Sequence, residues 1–303
     1  MRRARTPRLD FIVIGAQKAG TTSLWRYLED NEGLRMPPDK EASFFSEPGY
    51  PADLRSYMRA LFKDAPRGRK LGTVTPVYMH GTPDVSVPAI ADRIRESVPG
   101  ARLVALLRDP VERAASAHRM LVRRGVETRT FAEAIDELLR PGELELARRG
   151  PAETASYVVA GEYGRMLRAY VERFGRDQVH VELTADLERT PGEVVRRVCG
   201  FIGVEPHEPR LLGERFFQSG PPRVSPEAER DLKEYLERNA WSRMRHSAQE
   251  RERFQQWFEL WNVVPEPSPE RVDERAASLL REHYADDARL LAAATGVRVP
   301  TKP

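Results

Sequence analysis

Leu9-Asp-Phe-Ile-Val-Ile-Gly15-Ala-Gln-Lys18-Ala-Gly20-Thr21-Thr22-Ser23-Leu24-Trp25 is the stretch that decides the fold of this chain. The apolar run at residues 11–14 is too short to cross a membrane and rich in β-branched residues, so it reads as a buried strand. Residues 15–20 supply a tight turn. Thr21-Thr22-Ser23 then opens an amphipathic helix that turns Leu24, Trp25, Tyr27 and Leu28 inward. A strand, a glycine turn and a helix N-terminus together present backbone N–H groups and a positive dipole end to an anion. Lys18 adds a full charge inside the turn, and the hydroxyls of Thr21 and Thr22 add donors. The stretch is a phosphate cradle.

The nucleoside-triphosphate P-loop, G-x-x-x-x-G-K-[ST], spaces its glycines as Gly15 and Gly20 are spaced, but Thr21 stands where that motif needs its lysine. The lysine sits earlier, at Lys18. A later apolar run at 101–107 leads into Arg108-Asp109-Pro110, so no clear strand-ending aspartate helps to hold Mg²⁺. This pattern suits a nucleotide whose reacting group carries less charge than a γ-phosphate, and a sulfuryl group is such a case. A P-loop-type nucleotide-dependent kinase is the rival reading, and it should require Mg²⁺ and a triphosphate.

Three segments carry a family resemblance. Gly15-Ala-Gln-Lys18-Ala-Gly20-Thr21-Thr22-Ser23-Leu24 resembles the 5′-phosphosulfate loop of sulfotransferases that use 3′-phosphoadenosine 5′-phosphosulfate (PAPS). Lys40-Glu41-Ala-Ser-Phe44-Phe45 is similar to that family's Lys-Glu-x-x-Phe-Phe segment, which carries the catalytic carboxylate. Leu107-Arg108-Asp109-Pro110-Val-Glu-Arg113-Ala-Ala-Ser116 resembles its 3′-phosphate motif. The branch that contains the heparan sulfate sulfotransferases and many bacterial relatives is the nearest in pattern. Leu71-Gly-Thr73-Val-Thr75-Pro76-Val77-Tyr78 is similar to a Thr-Pro-x-Tyr segment that lines the acceptor cleft, with Thr73 near a position where many relatives carry a charge. Ser219-Gly-Pro-Pro-Arg223 matches in position a loop that folds over the cofactor.

The resemblance implies a site. Lys18 and Glu41 are its catalytic residues, with Glu41 as general base. Lys18, Ala19, Gly20, Thr21, Thr22 and Ser23 cradle the 5′-phosphate, while Arg108, Ser116 and Arg223 hold the 3′-phosphate. PAPS is the implied donor and 3′-phosphoadenosine 5′-phosphate (PAP) the product, with no metal required. The acceptor would be a small molecule, a glycan or a lipid bearing a hydroxyl or an amine, bound in an Arg-rich cleft.

Composition sets the outer limits. The 303 residues can bury one sizeable core, and 40% hydrophobic with 31% charged residues places the chain among soluble globular proteins. A net charge of +3 fits an anionic cofactor and is compatible with an anionic acceptor, but does not demand nucleic acid. No basic stripe interleaved with aromatics points to nucleic acid either. The basic N-terminal residues are followed by too short an apolar run for a signal or an anchor, so a cytoplasmic protein without stable membrane insertion is expected. Animal relatives in the resembled family are Golgi-resident and anchored. The one cysteine, Cys199, falls in an apolar helical pattern with Val195, Val198 and Ile202 and reads as packing. No Cys/His cluster has metal-ligand spacing.

Along the chain, the pattern predicts a short strand at 34–36, an amphipathic piece around Leu54, Tyr57, Met58 and Leu61, a helix over 88–98 and a strand over 101–107. A helix over 131–139, a polar stretch ending at Pro151, core positions at helical spacing from 157 to 174 and a strand over 178–183 follow. Thr190-Pro191-Gly-Glu193 reads as an N-cap, N1 proline and capping-box glutamate. Arg113 and His118 read as structural. Trp241, Phe254, Trp257, Phe258 and Trp261 are scattered along a charged helical segment, and a final helix carries Ala277, Leu280 and Tyr284. The expected architecture is α/β, a three-layer P-loop-like fold with a mainly parallel central sheet and a helical C-terminal extension. It forms one domain over 1–303, with the α/β core at 9–218 and the covering loop and helices at 219–303.

Overall fold

The computed structural model describes residues 9–37, 40–50, 54–63, 65–66, 68–210, 212 and 272–301. Its centre is β1 (Phe11–Gly15), buried along its whole length. Around it lie β2 (Leu34–Arg35), β3 (Lys70–Val74), β4 (Arg102–Leu107) and β5 (Val179–Leu183), in the order β2-β3-β1-β4-β5. All pairings are parallel: Phe11 faces Gly72 on one side and Arg102 on the other, and Leu103 to Leu107 run beside Val179 to Leu183. The near-continuous apolar runs of β1 and β4 follow from this, because a central parallel strand is covered on both faces.

The helices among the described residues are α1 (Thr21–Glu29), α2 (Leu54–Leu61), α3 (Val77–His80), α4 (Val87–Ser97), α5 (Pro110–Arg123) and α6 (Phe131–Leu138). After these come α7 (Pro141–Arg149), α8 (Ser156–Val159), α9 (Tyr163–Phe174), α10 (Thr184–Arg189), α11 (Pro191–Ile202) and α12 (Glu274–Thr295). The main core joins the sheet to α1, α4, α9 and α11 through residues such as Leu24, Ile90, Leu167 and Val195. A second core lies among α5, α6, α8 and α12, built on Leu121, Ile135, Tyr157, Leu280 and Tyr284. Cys199 is buried in the main core, as its apolar pattern predicted, and burial pushes its thiol up to about 11.

The structure adds two local details to the expected pattern and overturns one expectation. The stretch 157–174 is two helices, broken at Gly161 and Glu162, because α12 packs against the break. There the Asp287 carboxylate accepts from Gly164 N (2.7 Å) and Arg165 N (2.8 Å), capping α9 from another part of the chain. A Cβ at Gly164 would stand 2.3 Å from the Asp287 carbonyl oxygen, so glycine is what permits the approach. The polar stretch before Pro151 contains α7, started by Pro141 at its first turn. The capping box at Thr190 does not form. Helix α10 ends where α11 begins, so the Thr190 hydroxyl turns back to the Asp186 carbonyl (3.3 Å) and Glu193 pairs with Arg196. A capping box does form on α6, between Thr130 and Glu133.

The sheet order has a consequence for ligands. The strands on one side of β1, β2 and β3, precede β4 in sequence, and the chain then continues on the other side. The crevice at the carboxyl ends of β1 and β4 is therefore the switch point, where open parallel sheets bind ligands.

Candidate active site

The loop after β1 sits at that switch point. Ala16 N donates to the Leu106 carbonyl (2.8 Å) and Ala19 N to the Ala16 carbonyl (3.2 Å), which pins the turn against β4. Gly20, at φ 90°, bends the chain into α1. Lys18 has φ 67°, a left-handed conformation that costs a non-glycine residue about 1–3 kcal/mol and concentrates at functional positions. Gly20 at its N-cap has no side chain to cap α1, and the first turn holds no acid, so the helix itself sets no carboxylate against its dipole. By contrast, Asp109 caps α5, accepting from Val111 N (2.8 Å) and Glu112 N (3.1 Å).

A set of cations surrounds the loop. Burial first, and then the charges of Arg123, Arg108, Arg119 and Lys40, together lower the Lys18 pKa to about 8. Arg108 pairs with Glu112 at 2.6 Å and Lys40 with Glu41 at 3.2 Å. Glu112, Ser116, Arg119 and Arg123 are spaced four, three and four residues apart, so they share one stripe of α5. The stripe puts two arginines within electrostatic reach of the loop, and an anion there relieves mutual repulsion. The residues present therefore fit a polyanionic nucleotide.

Thr184, at the end of β5, ties the parts together. Its hydroxyl lies 2.7 Å from the Ala19 carbonyl and 3.0 Å from the Leu107 carbonyl, so one proton is shared between the loop and the end of β4. Arg108 follows directly on Leu107, and its carbonyl accepts from the Tyr163 hydroxyl at 3.0 Å.

Glu41 reaches the site through a different route. Val74 N donates to the Lys40 carbonyl (3.4 Å), and Ala42 N donates to the Thr75 hydroxyl (3.1 Å). The Tyr78 hydroxyl donates to the Ala42 carbonyl and accepts from Phe45 N (3.3 Å). Phe44 and Phe45 are buried, with Phe45 edge-on to Tyr78 at 5.7 Å. The Thr75-Pro76-Val77-Tyr78 segment thus holds the Glu41 segment in place, while Pro76 and Val77 line the cleft beyond it. Glu41 itself is half-exposed and, with Gln17 of the loop, lines a cleft of about 450 Å³. The expected Arg-rich lining is not what the structure has: no arginine is among the described residues of that cleft.

Of the other residues singled out by sequence, Ala19 and Thr21 are buried, and Thr22 and Ser23 are partly buried on the first turn of α1. Ser116 is buried on the α5 stripe. Thr73 is buried inside β3, and its hydroxyl has no partner among the described residues. Arg113 is fully buried and donates to the Tyr157 carbonyl, and His118 is buried with its Nε2–H on the Arg129 carbonyl (2.9 Å). Both are structural, as read. Arg223 and the five aromatics from Trp241 to Trp261 lie outside the described residues. Sequence reasoning did not single out Arg119, Arg123 and Thr184, and it met Lys40 only as the first residue of a motif. The helical spacing from Glu112 to Arg123 was a signal for the arginines, whereas nothing local marks Thr184.

No protein-family model matches the chain. A crystal structure of a sulfotransferase from Alicyclobacillus acidocaldarius is similar over 77% of this chain and 93% of its own, at 31% identity and a TM-score of 0.59. The membrane-associated sulfotransferase kil1 of Dictyostelium discoideum is 30% identical over 115 residues, covering 37% of this chain and 23% of that protein. The bifunctional heparan sulfate N-deacetylase/N-sulfotransferase 1 of Caenorhabditis briggsae is 23% identical over 202 residues, 64% of this chain and 22% of that protein. The chain thus spans less than a quarter of each of these two curated relatives, but nearly the whole of the bacterial structure. With that extent of likeness, the chain belongs to the sulfotransferase family.

Proposed function

We propose that the protein transfers a sulfuryl group from PAPS to a hydroxyl or amine of an acceptor, without a metal, by in-line displacement. The observation that carries this reading is the cationic loop around Lys18 opening beside the cleft that holds Glu41. The donor brings a sulfur that is attacked in line with its bond to the 5′-phosphate. The acceptor oxygen or nitrogen forms the new bond to sulfur, the sulfur–oxygen bond to the phosphate breaks, and its electron pair stays on PAP. The acceptor proton passes to the Glu41 carboxylate.

Each group on this chain has a task in that step. Lys18 and the backbone N–H groups at the start of α1 meet the charge that builds on the leaving phosphate oxygen, which is the role of preorganised donors. Arg108, with Ser116 on the same side, receives the 3′-phosphate through charge-assisted hydrogen bonds, and Arg119 and Arg123 add to the field. The Thr75–Tyr78 anchors keep Glu41 at one distance from the loop.

The test is label transfer from radiosulfur PAPS to a mixed panel of phenols, alcohols and amino sugars, with and without a chelator. Labelled product should form in both, and Glu41→Gln should reduce its rate by roughly 10²–10⁴-fold, the range of a lost general base. Full activity in Glu41→Gln would remove Glu41 from the chemistry. Transfer only of phosphate, from ATP with Mg²⁺, would replace this reading with a kinase.

A further inference from the structure

The two halves of the site carry opposite charge. On the loop side stand Lys18, Lys40 and the arginines of α5. On the cleft side, the described lining contains no Lys or Arg, and it carries Glu47, Asp84 and Glu153 besides Glu41. Two of the four acids have partners: Glu41 pairs with Lys40, and Glu153 with Arg124 at 3.1 Å. Glu47 and Asp84 are exposed and make no ion pair among the described residues. His80 also lines the cleft, and its buried Nδ1 has no hydrogen-bond partner among the described residues. Burial holds its pKa down to about 4, with the Arg113 charge adding to the effect, so the ring is neutral near pH 7 and offsets none of the negative charge.

Size and polarity narrow the occupant further. A cleft of about 450 Å³ is in the range of small-molecule pockets. Val77, Met120 and Tyr157 give it apolar wall. A polyanion entering here would face the carboxylates of Glu47 and Asp84, which make no ion pair among the described residues although Arg93 donates to the Glu47 carbonyl (2.9 Å), and like charges in such a cleft repel.

We infer that the acceptor is a small amphiphile with a positive charge, not a polyanion such as a glycosaminoglycan, and that Glu47 and Asp84 select it. This rests on the sulfuryl-transfer reading above. The apolar part lies along Val77 and Met120, the reacting hydroxyl or amine is presented to Glu41, and the cationic group is met by Glu47 and Asp84. The acidic rim also keeps the negatively charged donor on the loop side, so the two substrates sort themselves by charge.

Three phenols of one shape test this in protein saturated with PAP: tyramine as the cation, 4-ethylphenol as the neutral form and 3-(4-hydroxyphenyl)propanoate as the anion. Calorimetry should give tyramine the tightest binding, tighter than the propanoate by roughly tenfold or more, with ethylphenol between them. The double substitution Glu47→Gln with Asp84→Asn should bring the cation and anion to within about twofold, with the affinity for PAP unchanged. Equal affinities, the reverse order, no binding by any of the three, or discrimination that survives the double substitution would each overturn the inference. Failure of PAP itself to bind would instead strike the sulfuryl-transfer reading, and this inference with it.

Discussion

Lys18 bears two costs at once, a left-handed backbone and an amine held among other cations away from water. Its pKa falls from the ordinary 10.5 to about 8, so the folded protein holds that proton less tightly than the unfolded chain. Between those values the unfolded state binds more protons, and stability rises with pH; the penalty is full below about 8 and relieved toward 10.5. In denaturant titrations the wild type should therefore gain stability over that window relative to Lys18→Met. An anion on the loop reverses the sign by favouring the ammonium form. At a pH of about 8, PAP binding should take up a fraction of a proton, read by calorimetry in two buffers of different ionisation heat. Binding without proton exchange, or uptake that persists in Lys18→Met, would mean that Lys18 does not meet the phosphate. The position of Lys18 was legible in the sequence, since Gly15 and Gly20 bracket it. Its charged company was only half legible, because Lys40 and Arg108 lie in motifs while Arg119 and Arg123 needed a helical register to be read.

At the level of elements, the site depends on two segments that never contact the donor in this account. The start of α3 holds the Glu41 segment through Thr75 and Tyr78, and Thr184 holds the loop to the end of β4. Tyr78→Phe strips the partner from Phe45 N and leaves the Ala42 carbonyl only the long contact from the Thr75 hydroxyl (3.5 Å), and leaving a buried group unsatisfied costs roughly 1–3 kcal/mol. We expect a matching loss in urea denaturation and a fall in turnover with PAP affinity retained. Turnover that stays at the wild-type rate would show that Glu41 needs no such anchor. The element ends show where local reading stops. Asp109 precedes Pro110 at the start of α5 and caps it; Asp109→Ala should cost about 0.5–2 kcal/mol in denaturant titrations. Thr190 has the same kind of signal and does not cap, because α10 occupies the space ahead of it. Sequence spacing registers the residue types but not whether the preceding chain has already turned back.

Across the whole molecule, α12 shows what sequence order conceals. It comes from residues 274–295, yet it packs on α9 and completes the second core. At that contact, Glu162 is buried and bonded to Arg148 (2.8 Å), Arg165 (2.5 Å) and His283 of α12 (3.0 Å). Burial alone would raise its pKa, but the hydrogen bonds from His283 and Arg148 and the charge of Arg165 outweigh it and hold it at about 2. The depressed value contributes stability that is present above the ordinary 4.5 and lost as pH falls from there toward 2. Urea midpoints should drop through that window in the wild type and depend less on pH in Glu162→Gln; identical slopes would show that the cluster contributes nothing. The parallel sheet was readable from the apolar runs of β1 and β4, and the turn after β1 from its glycines. The acidic lining of the cleft beside Glu41 was not, because Glu47, Asp84 and Glu153 are far apart in sequence and meet only once α3 and α5 are packed.

The central claim, a donor site for PAPS assembled where β1 and β4 end, is tested most directly by titrating the protein with PAP, beside ATP with and without Mg²⁺. The account predicts PAP binding that is unchanged by a chelator and weakened in Lys18→Ala and in Arg108→Ala. Binding of ATP with Mg²⁺ in place of PAP, or PAP binding that neither substitution affects, would contradict it.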